Sequence, residues 1–326
     1  MLMQINGPRM ATLRPYMSVS LLLLLLLAGC DSNKHWQKID LEDRISDVEL
    51  QKIQPKRNPN ALRFGFELHT SLEEDARLYQ PFLDYLNRKT GYEFELYFSP
   101  KESDVVSELG SGHVQFAAMG ALSYLKAHAK YGVIPLARGK NTKDGTEYRS
   151  VIVTSPKNAI NSLKDLRGKR LAFVSSTSTQ GYLIPRIILK EHSLSLNDLA
   201  SYFYTGSDRN CATAVITGKA DAGGMQDSMA LEFARSGLLK LVYISTPYPA
   251  GCIAANKNVS TDILQKVKDA LLHFDPQGKD TNGSYFGEKT DIPEGFVEAQ
   301  LNDYQILQKW AQAFGLLNGQ ENEVNP

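Results

Sequence analysis

An internal echo constrains this chain more than any other feature. Gly112-His113-Val114-Gln115-Phe116-Ala117-Ala118-Met119 resembles Gly218-Lys219-Ala220-Asp221-Ala222-Gly223-Gly224-Met225, about a hundred residues later. Each copy follows a helical segment that opens near a Ser-Asp pair, Ser103-Asp104 and Ser207-Asp208. Each is followed by a helical run (122–130; 228–236) and then an apolar strand (133–137; 238–244). The same βα arrangement met twice points to two similar α/β lobes. Chance likeness among small apolar residues is the alternative. Two such lobes facing each other form a cleft, and ligand sites favour clefts at the carboxyl ends of strands.

The flanking patterns agree with that architecture. Leu62–Phe66 reads as a strand, residues 73–89 as a helix, and 92–98 as a strand, the signature of a mainly parallel sheet flanked by helices. Tyr148–Thr154 is expected to carry the chain from the first lobe to the second. Residues 241–255 are expected to carry it back, with a break at Pro247-Tyr248-Pro249. Helices over 261–273 and 296–314 are then expected on the first lobe. The expected division is residues 61–152 plus 248–326 for lobe 1, and 153–247 for lobe 2.

The N-terminus reads differently. Arg9 and Arg14 are the only charges in the first thirty residues, and Leu21–Leu27 is an unbroken leucine run. Ala28, Gly29 and Cys30 follow. A basic start, a short apolar run and small residues before a cut site make a secretory signal, too short for a comfortable membrane span. Leu27-Ala28-Gly29-Cys30 resembles the bacterial lipobox. That resemblance implies that residues 1–30 are a lipoprotein signal peptide and that Cys30 is lipidated (a palmitate-bearing cysteine) and heads the mature chain. An ordinary cleaved signal with an incidental cysteine is the alternative. Asp31 resembles the signal that retains enterobacterial lipoproteins in the inner membrane, so a periplasmic position anchored there is expected. Residues 31–60 are polar, carry Pro55 and Pro59, and read as a tether.

Lys plus Arg number 36 and Asp plus Glu number 36, so the formal net charge is zero. A neutral balance argues against nucleic-acid binding, and any anion must be captured by local geometry. Beyond Cys30, Cys211 and Cys252 remain; buried free thiols and a disulfide are both open readings in an oxidising compartment. No zinc spacing, Gly-x-Ser-x-Gly elbow, His-Glu-x-x-His or P-loop occurs. His69, His113 and His128 have no partner at metal or catalytic spacing. No metal, no cofactor and no enzymatic activity are expected, and a monomer is.

The segment that carries chemistry is a strand, Lys169–Val174, running into Ser175-Ser176-Thr177-Ser178-Thr179-Gln180-Gly181 and a helical run from Tyr182 to Lys190. First-turn N–H groups of a helix lack internal partners, and the helix dipole adds partial positive charge. Hydroxyls donate further hydrogen bonds, and Gly181 permits close approach or an unusual backbone angle. The combination is an oxyanion receptor built without net charge. A plain N-cap accounts for one hydroxyl, not for five in a row. Pro185 is tolerated only near the first turn, which keeps the helix start beside the hydroxyls. Gln226 and Asp227 follow the second echo strand, where strand ends face the cleft.

Ser178-Thr179-Gln180-Gly181-Tyr182-Leu183-Ile184-Pro185 resembles the anion loop of the phosphate/phosphite/phosphonate-binding proteins of ABC transporters, a branch of the type II periplasmic binding fold. The resemblance extends over roughly residues 62–260 and includes the Ala-Ala-Met-Gly-Ala-Leu-Ser-Tyr stretch at 117–124. It implies a two-lobed protein with a ligand cleft between the lobes, holding phosphate, phosphite or a phosphonate. The expected ligand-binding residues are Tyr148, Thr177, Ser178, Thr179, Gln180, Gly181 and Asp208 from the resemblance, and Asp227 from its place after the second echo strand, with capping of the next helix as its alternative. The implied partners are a membrane permease and its cytoplasmic ATPase; a sensing subunit of a membrane signalling system is the alternative role. Gln180 replaces the loop's third hydroxyl and Asp208 replaces a usual histidine after Gly206-Ser207. Two further departures are Glu102, often aromatic in relatives, and Gly251, where relatives that take aminoalkylphosphonates carry an acid. Arg149 is expected on the strand face opposite Tyr148, and Arg209 beside the turn, paired with anion, Asp208 or solvent.

Overall fold

Elements repeat in the same order on either side of residue 150. The computed structural model describes residues 58, 60–66, 72–99, 104–140, 145, 147–276 and 295–317. Cys30, Asp31, His69, Glu102 and most of the tether lie outside them. The first set is β1 (Leu62–Phe66), α1 (Leu72–Thr90), β2 (Phe94–Tyr97), α2 (Val105–Ser111), β3 (Phe116–Met119), α3 (Ala121–Tyr131) and β4 (Ile134–Gly139). Two hinge strands follow, β5 (Glu147–Tyr148) and β6 (Ser150–Thr154). The second set is β7 (Arg170–Phe173), α4 (Ile184–Glu191), β8 (Ser201–Tyr204), α5 (Asp208–Ile216), β9 (Ala222–Gln226), α6 (Asp227–Arg235) and β10 (Lys240–Ile244). The chain returns through β11 (Tyr248–Pro249) and β12 (Cys252–Ala255), then α7 (Thr261–Leu272), β13 (Phe296–Glu298) and α8 (Gln305–Ala313).

The strands form a six-stranded sheet ordered β13-β4-β12-β3-β1-β2 and a five-stranded sheet ordered β10-β6-β9-β7-β8. In each sheet the first set's or second set's strands keep one order: the middle strand pairs parallel with both neighbours, β1 with β2 and β3, β7 with β8 and β9. An antiparallel strand brought in from the hinge, β12 or β6, is inserted before the last of the set. Both sheets are therefore mixed, and the inserted strand of each sits at the corresponding place.

The echo is visible bond by bond. The Gln115 N–H donates to the Arg63 carbonyl, and the Asp221 N–H to the Arg170 carbonyl. The Val114 N–H donates to Glu108, and the Ala220 N–H to Ala214. Gly112 and Gly218 both take left-handed backbone, φ 82° and 75°, where an L side chain is disfavoured, so each copy begins on glycine. The helices before them start alike: Asp104 accepts from the Ser107 N–H, and Ser207 from the Asn210 N–H.

Two expectations need correcting. The segment Tyr148–Thr154 is not one crossing strand. Glu147–Tyr148 pairs antiparallel with Tyr248–Pro249 in a separate ribbon, while all of Ser150–Thr154 lies in the five-stranded sheet. The expected lobe boundary after residue 152 thus falls inside a strand, and the change of sheet lies near residue 149. Residues 296–314 are not one helix either. Phe296–Glu298 is an edge strand on β4, because Phe296 plugs an aromatic core with Phe82 and Phe274, at ring-centroid distances of 5.9 Å each. A short apolar run does not by itself distinguish strand from helix.

That aromatic core supports the first sheet. Phe64 on β1 stacks on Phe116 of β3 and meets the edge of Phe82 on α1. Cys252 opens β12 within the first sheet and Cys211 lies in the second lobe's core; both are free and buried, and burial pushes the Cys252 thiol up to about 12. They are inert thiols, not a bridge.

Candidate functional site

The hydroxyl-rich turn lies at the carboxyl end of β7, as the strand pattern required, but its helix starts in an unexpected way. Residues Thr179–Leu183 form a wide π-turn before the regular helix Ile184–Glu191, with Pro185 in its first positions. The Leu183 N–H donates to the Ser178 carbonyl, five residues back. Proline has no N–H, so the carbonyls it would have engaged, Gly181 four residues back or Gln180 five back, stay available. Both are used to moor the turn. The Gly181 carbonyl accepts from the Val174 N–H at 3.1 Å, and the Gln180 carbonyl from the Ser150 hydroxyl at 2.6 Å.

The hydroxyls divide the remaining work. The Ser178 Oγ accepts from the Gly181 N–H at 2.9 Å and so caps the turn. Ser175 and Thr177 hydroxyls lie 3.2 Å apart and pair with each other. Thr179, buried, accepts at its Oγ1 from the Leu122 N–H at 2.9 Å. Leu122 is in the first turn of α3, whose N-cap is Gly120 with no side-chain capping bond. Two helix N-termini therefore meet at Thr179, each carrying roughly half a positive charge. In these bonds Ser178 and Thr179 accept through oxygen, so their O–H protons are not spent on them. In the first turn, the Thr179 and Gln180 N–H groups have no acceptor within their own helix.

Gly181 is explained by space, not by an unusual φ. A Cβ there would stand 2.3 Å from Val174 Cγ2, 2.5 Å from Val174 Cβ and 2.9 Å from Ser178 Oγ.

The structure separates the other expected residues into two groups. Gln180 does not replace the missing hydroxyl in kind: its Nε2 donates to the Arg149 carbonyl at 3.3 Å. The same carbonyl accepts from the Asp227 N–H at 3.3 Å. Turn, hinge and the end of β9 are thereby joined at Arg149, next to Tyr148, which pairs with Tyr248 in the hinge ribbon. Asp208 Oδ1 accepts from the Gln226 N–H at 2.9 Å, so it ties the start of α5 to the end of β9. Asp227 Oδ1 accepts from the Ser228 N–H. The Arg149 guanidinium donates to the Ser245 carbonyl at 3.0 Å, bracing the two hinge crossings. Arg209 is exposed. Among the described residues no group of His, Cys, Asp or Glu is arranged to hold a metal ion.

Three contributors escaped sequence reasoning: Ser150, Leu122 and Lys126. Ser150 carries a signal in hindsight, a hydroxyl opening the apolar strand Ser-Val-Ile-Val-Thr and fully buried. Replacing Ser150 by alanine strips the Gln180 carbonyl of its partner. Buried acceptors left unpaired cost about 1–3 kcal/mol. A urea-melt midpoint equal to that of the wild type would count against this mooring role.

Fold and turn together define a two-lobed α/β binding protein. A family model described as "ABC transporter, phosphonate, periplasmic substrate-binding protein" matches residues 64–304, and the chain belongs to that family. The family's role is substrate binding, not catalysis. The chain is 27% identical over 290 residues to the phosphate-import protein PhnD of Mycolicibacterium smegmatis, covering 84% of this chain and 83% of that one. It is 24% identical over 235 residues to the phosphonates-binding periplasmic protein of Escherichia coli K12, covering 69% of each. The fold is that of PhnD1 from Prochlorococcus marinus, solved in complex with methylphosphonate, at TM-score 0.70 and 19% identity over 79% of this chain and 100% of that one.

Proposed function

We propose that this chain is the lipid-anchored substrate-binding component of an ABC importer and that it captures a small phosphorus oxyanion between its lobes. The observation that carries the reading is the meeting of two helix N-termini at Thr179, beside the capped, hydroxyl-bearing turn Ser178–Gly181. Such a site favours an oxyanion without any net positive field. The relatives support the ligand class, being named for phosphate import and phosphonate binding. Ser178 and Thr179 supply hydroxyls, Thr177, Thr179 and Gln180 supply backbone N–H groups, the Ser178 and Gly181 N–H groups being used inside the turn, and Tyr148, Asp208 and Asp227 stand around the same crossing of the hinge. Closure presents the paired lobes to a permease driven by a cytoplasmic ATPase. The sensing alternative finds no support in these relatives.

Gly251 narrows the ligand further. A Cβ at this position would stand 2.4 Å from the Met119 carbonyl oxygen, so no acidic side chain fits without moving backbone. With no carboxylate there to meet an ammonium, the reading favours phosphate, phosphite or a simple alkylphosphonate over aminoalkylphosphonates. Asp208 and Asp227, as ionised acceptors, favour oxyanions that still carry an O–H. Calorimetric titration with phosphate, phosphite, methylphosphonate, aminoethylphosphonate and sulfate tests both points. The expected order puts the first three ahead of sulfate by at least roughly tenfold, the effect of one mispaired polar group. Sulfate binding as tightly would sink the proton-selective reading, and no binding of any phosphorus ligand would sink the function.

A further inference from the structure

Helix α3 reaches across to the anion turn with two groups. The Leu122 N–H donates to Thr179 Oγ1 at 2.9 Å, and the Lys126 ammonium donates to the Ser176 carbonyl at 3.1 Å. Residues 122 and 126 are four apart on one helix and share a face. Their acceptors are three apart in the turn after β7. The donors stand in the layer of the six-stranded sheet, following β3, and the acceptors in that of the five-stranded sheet. The pair of bonds therefore joins one lobe to the other at the proposed ligand site.

We propose that Lys126 is a positioning residue for oxyanion capture, latching α3 onto the Ser176 carbonyl so that both helix N-termini converge on one anion. The inference rests on the oxyanion reading of the turn for its ligand-dependent part only. A trans peptide points its C=O and the next N–H in opposite directions. Drawing the Ser176 carbonyl toward Lys126 therefore turns the Thr177 N–H the other way. It also removes the negative end of a carbonyl dipole from the anion's surroundings and covers it with an ammonium. In a chain with no net charge, this is a cation brought to the turn from the opposite lobe only when the lobes meet. Lys126 acts through the turn; no contact with ligand is assigned to it. A hydrogen bond from a charged donor is stronger than a neutral one, which makes the ammonium the dominant half of the latch.

The test uses the full chain with spin labels on Lys89→Cys in α1 and Lys190→Cys in α4, both exposed positions. Interlobe distances are measured with and without Lys126→Met, first ligand-free and then with inorganic phosphate. Without ligand, Lys126→Met is expected to raise the open-to-closed ratio about tenfold, the usual worth of one charge-assisted bond. With phosphate, the dissociation rate rises by a similar factor while the association rate stays near that of wild type. Lys126→Arg keeps a charged donor and restores much of the closed population. Unchanged distance distributions in Lys126→Met would overturn the latch. A shifted ligand-free distribution in a protein that ignores phosphate would support the latch and count against the oxyanion reading instead.

Discussion

Gly181→Ala is expected to abolish oxyanion binding and to lower the melting temperature. The added methyl meets Val174 at its branch point, 2.5 Å from Cβ and 2.3 Å from Cγ2. A branch carbon next to a strand is not the loose end of a flexible side chain and has nowhere to go. Gly181 cannot retreat either, because its carbonyl holds the Val174 N–H and its own N–H holds Ser178 Oγ. Overpacking of this kind costs about 1–3 kcal/mol. The turn yields before the sheet does, and yielding breaks the Ser178 cap and re-aims the Thr179 and Gln180 N–H groups. Binding thus falls by more than the loss of stability alone implies. Calorimetric melting and phosphate titration on the same preparation read both effects. Wild-type affinity in Gly181→Ala would remove the turn from the binding site. Val174→Gly in the same chain opens the space and is expected to recover part of both losses.

The parts of this fold legible in the sequence are those in which one residue type answers one geometric demand. Gly112 and Gly218 had to be glycine to end their helices in the left-handed region, so the echo survived in the letters. Pro185 had to stand near a helix start, so the turn was placed correctly. Hydrogen bonds that use backbone leave no such trace. The Arg149 carbonyl joins Gln180, Asp227 and the hinge, yet any residue at 149 has a carbonyl. Gln180 read only as the residue in place of the loop's third hydroxyl, and the bond from its amide to the hinge carbonyl was not legible. Asp208 read as a departure at the ligand turn, and nothing in its letter announced that one of its oxygens also takes the Gln226 N–H. The π-turn was illegible for the same reason: proline announces a missing donor, but not which two groups, Val174 N–H and Ser150 hydroxyl, take up the freed carbonyls.

Cys30→Ser is expected to change where the whole protein resides. Under the proposed lipid anchor, two or three acyl chains on Cys30, the wild type is expected to sediment with membranes. Burial of each methylene contributes about 0.8 kcal/mol, and a single chain of ordinary length holds a protein only marginally and reversibly. Two or more chains make the attachment stable, so the expected partition is nearly all-or-none. Among the described residues no helix is long and apolar enough to cross a membrane. Serine cannot accept the thioether-linked lipid, because the acceptor atom is the cysteine sulfur. The variant therefore either appears in the soluble periplasmic fraction or accumulates as uncleaved precursor, held by Leu21–Leu27. Fractionation followed by intact-mass measurement distinguishes these outcomes, since only the second keeps the first 29 residues. Wild-type protein recovered soluble, with an unmodified Cys30, would refute the anchor. The proposed ligand turn follows β7, more than a hundred residues from Cys30 in sequence, and ligand affinity in Cys30→Ser is expected to equal that of the wild type.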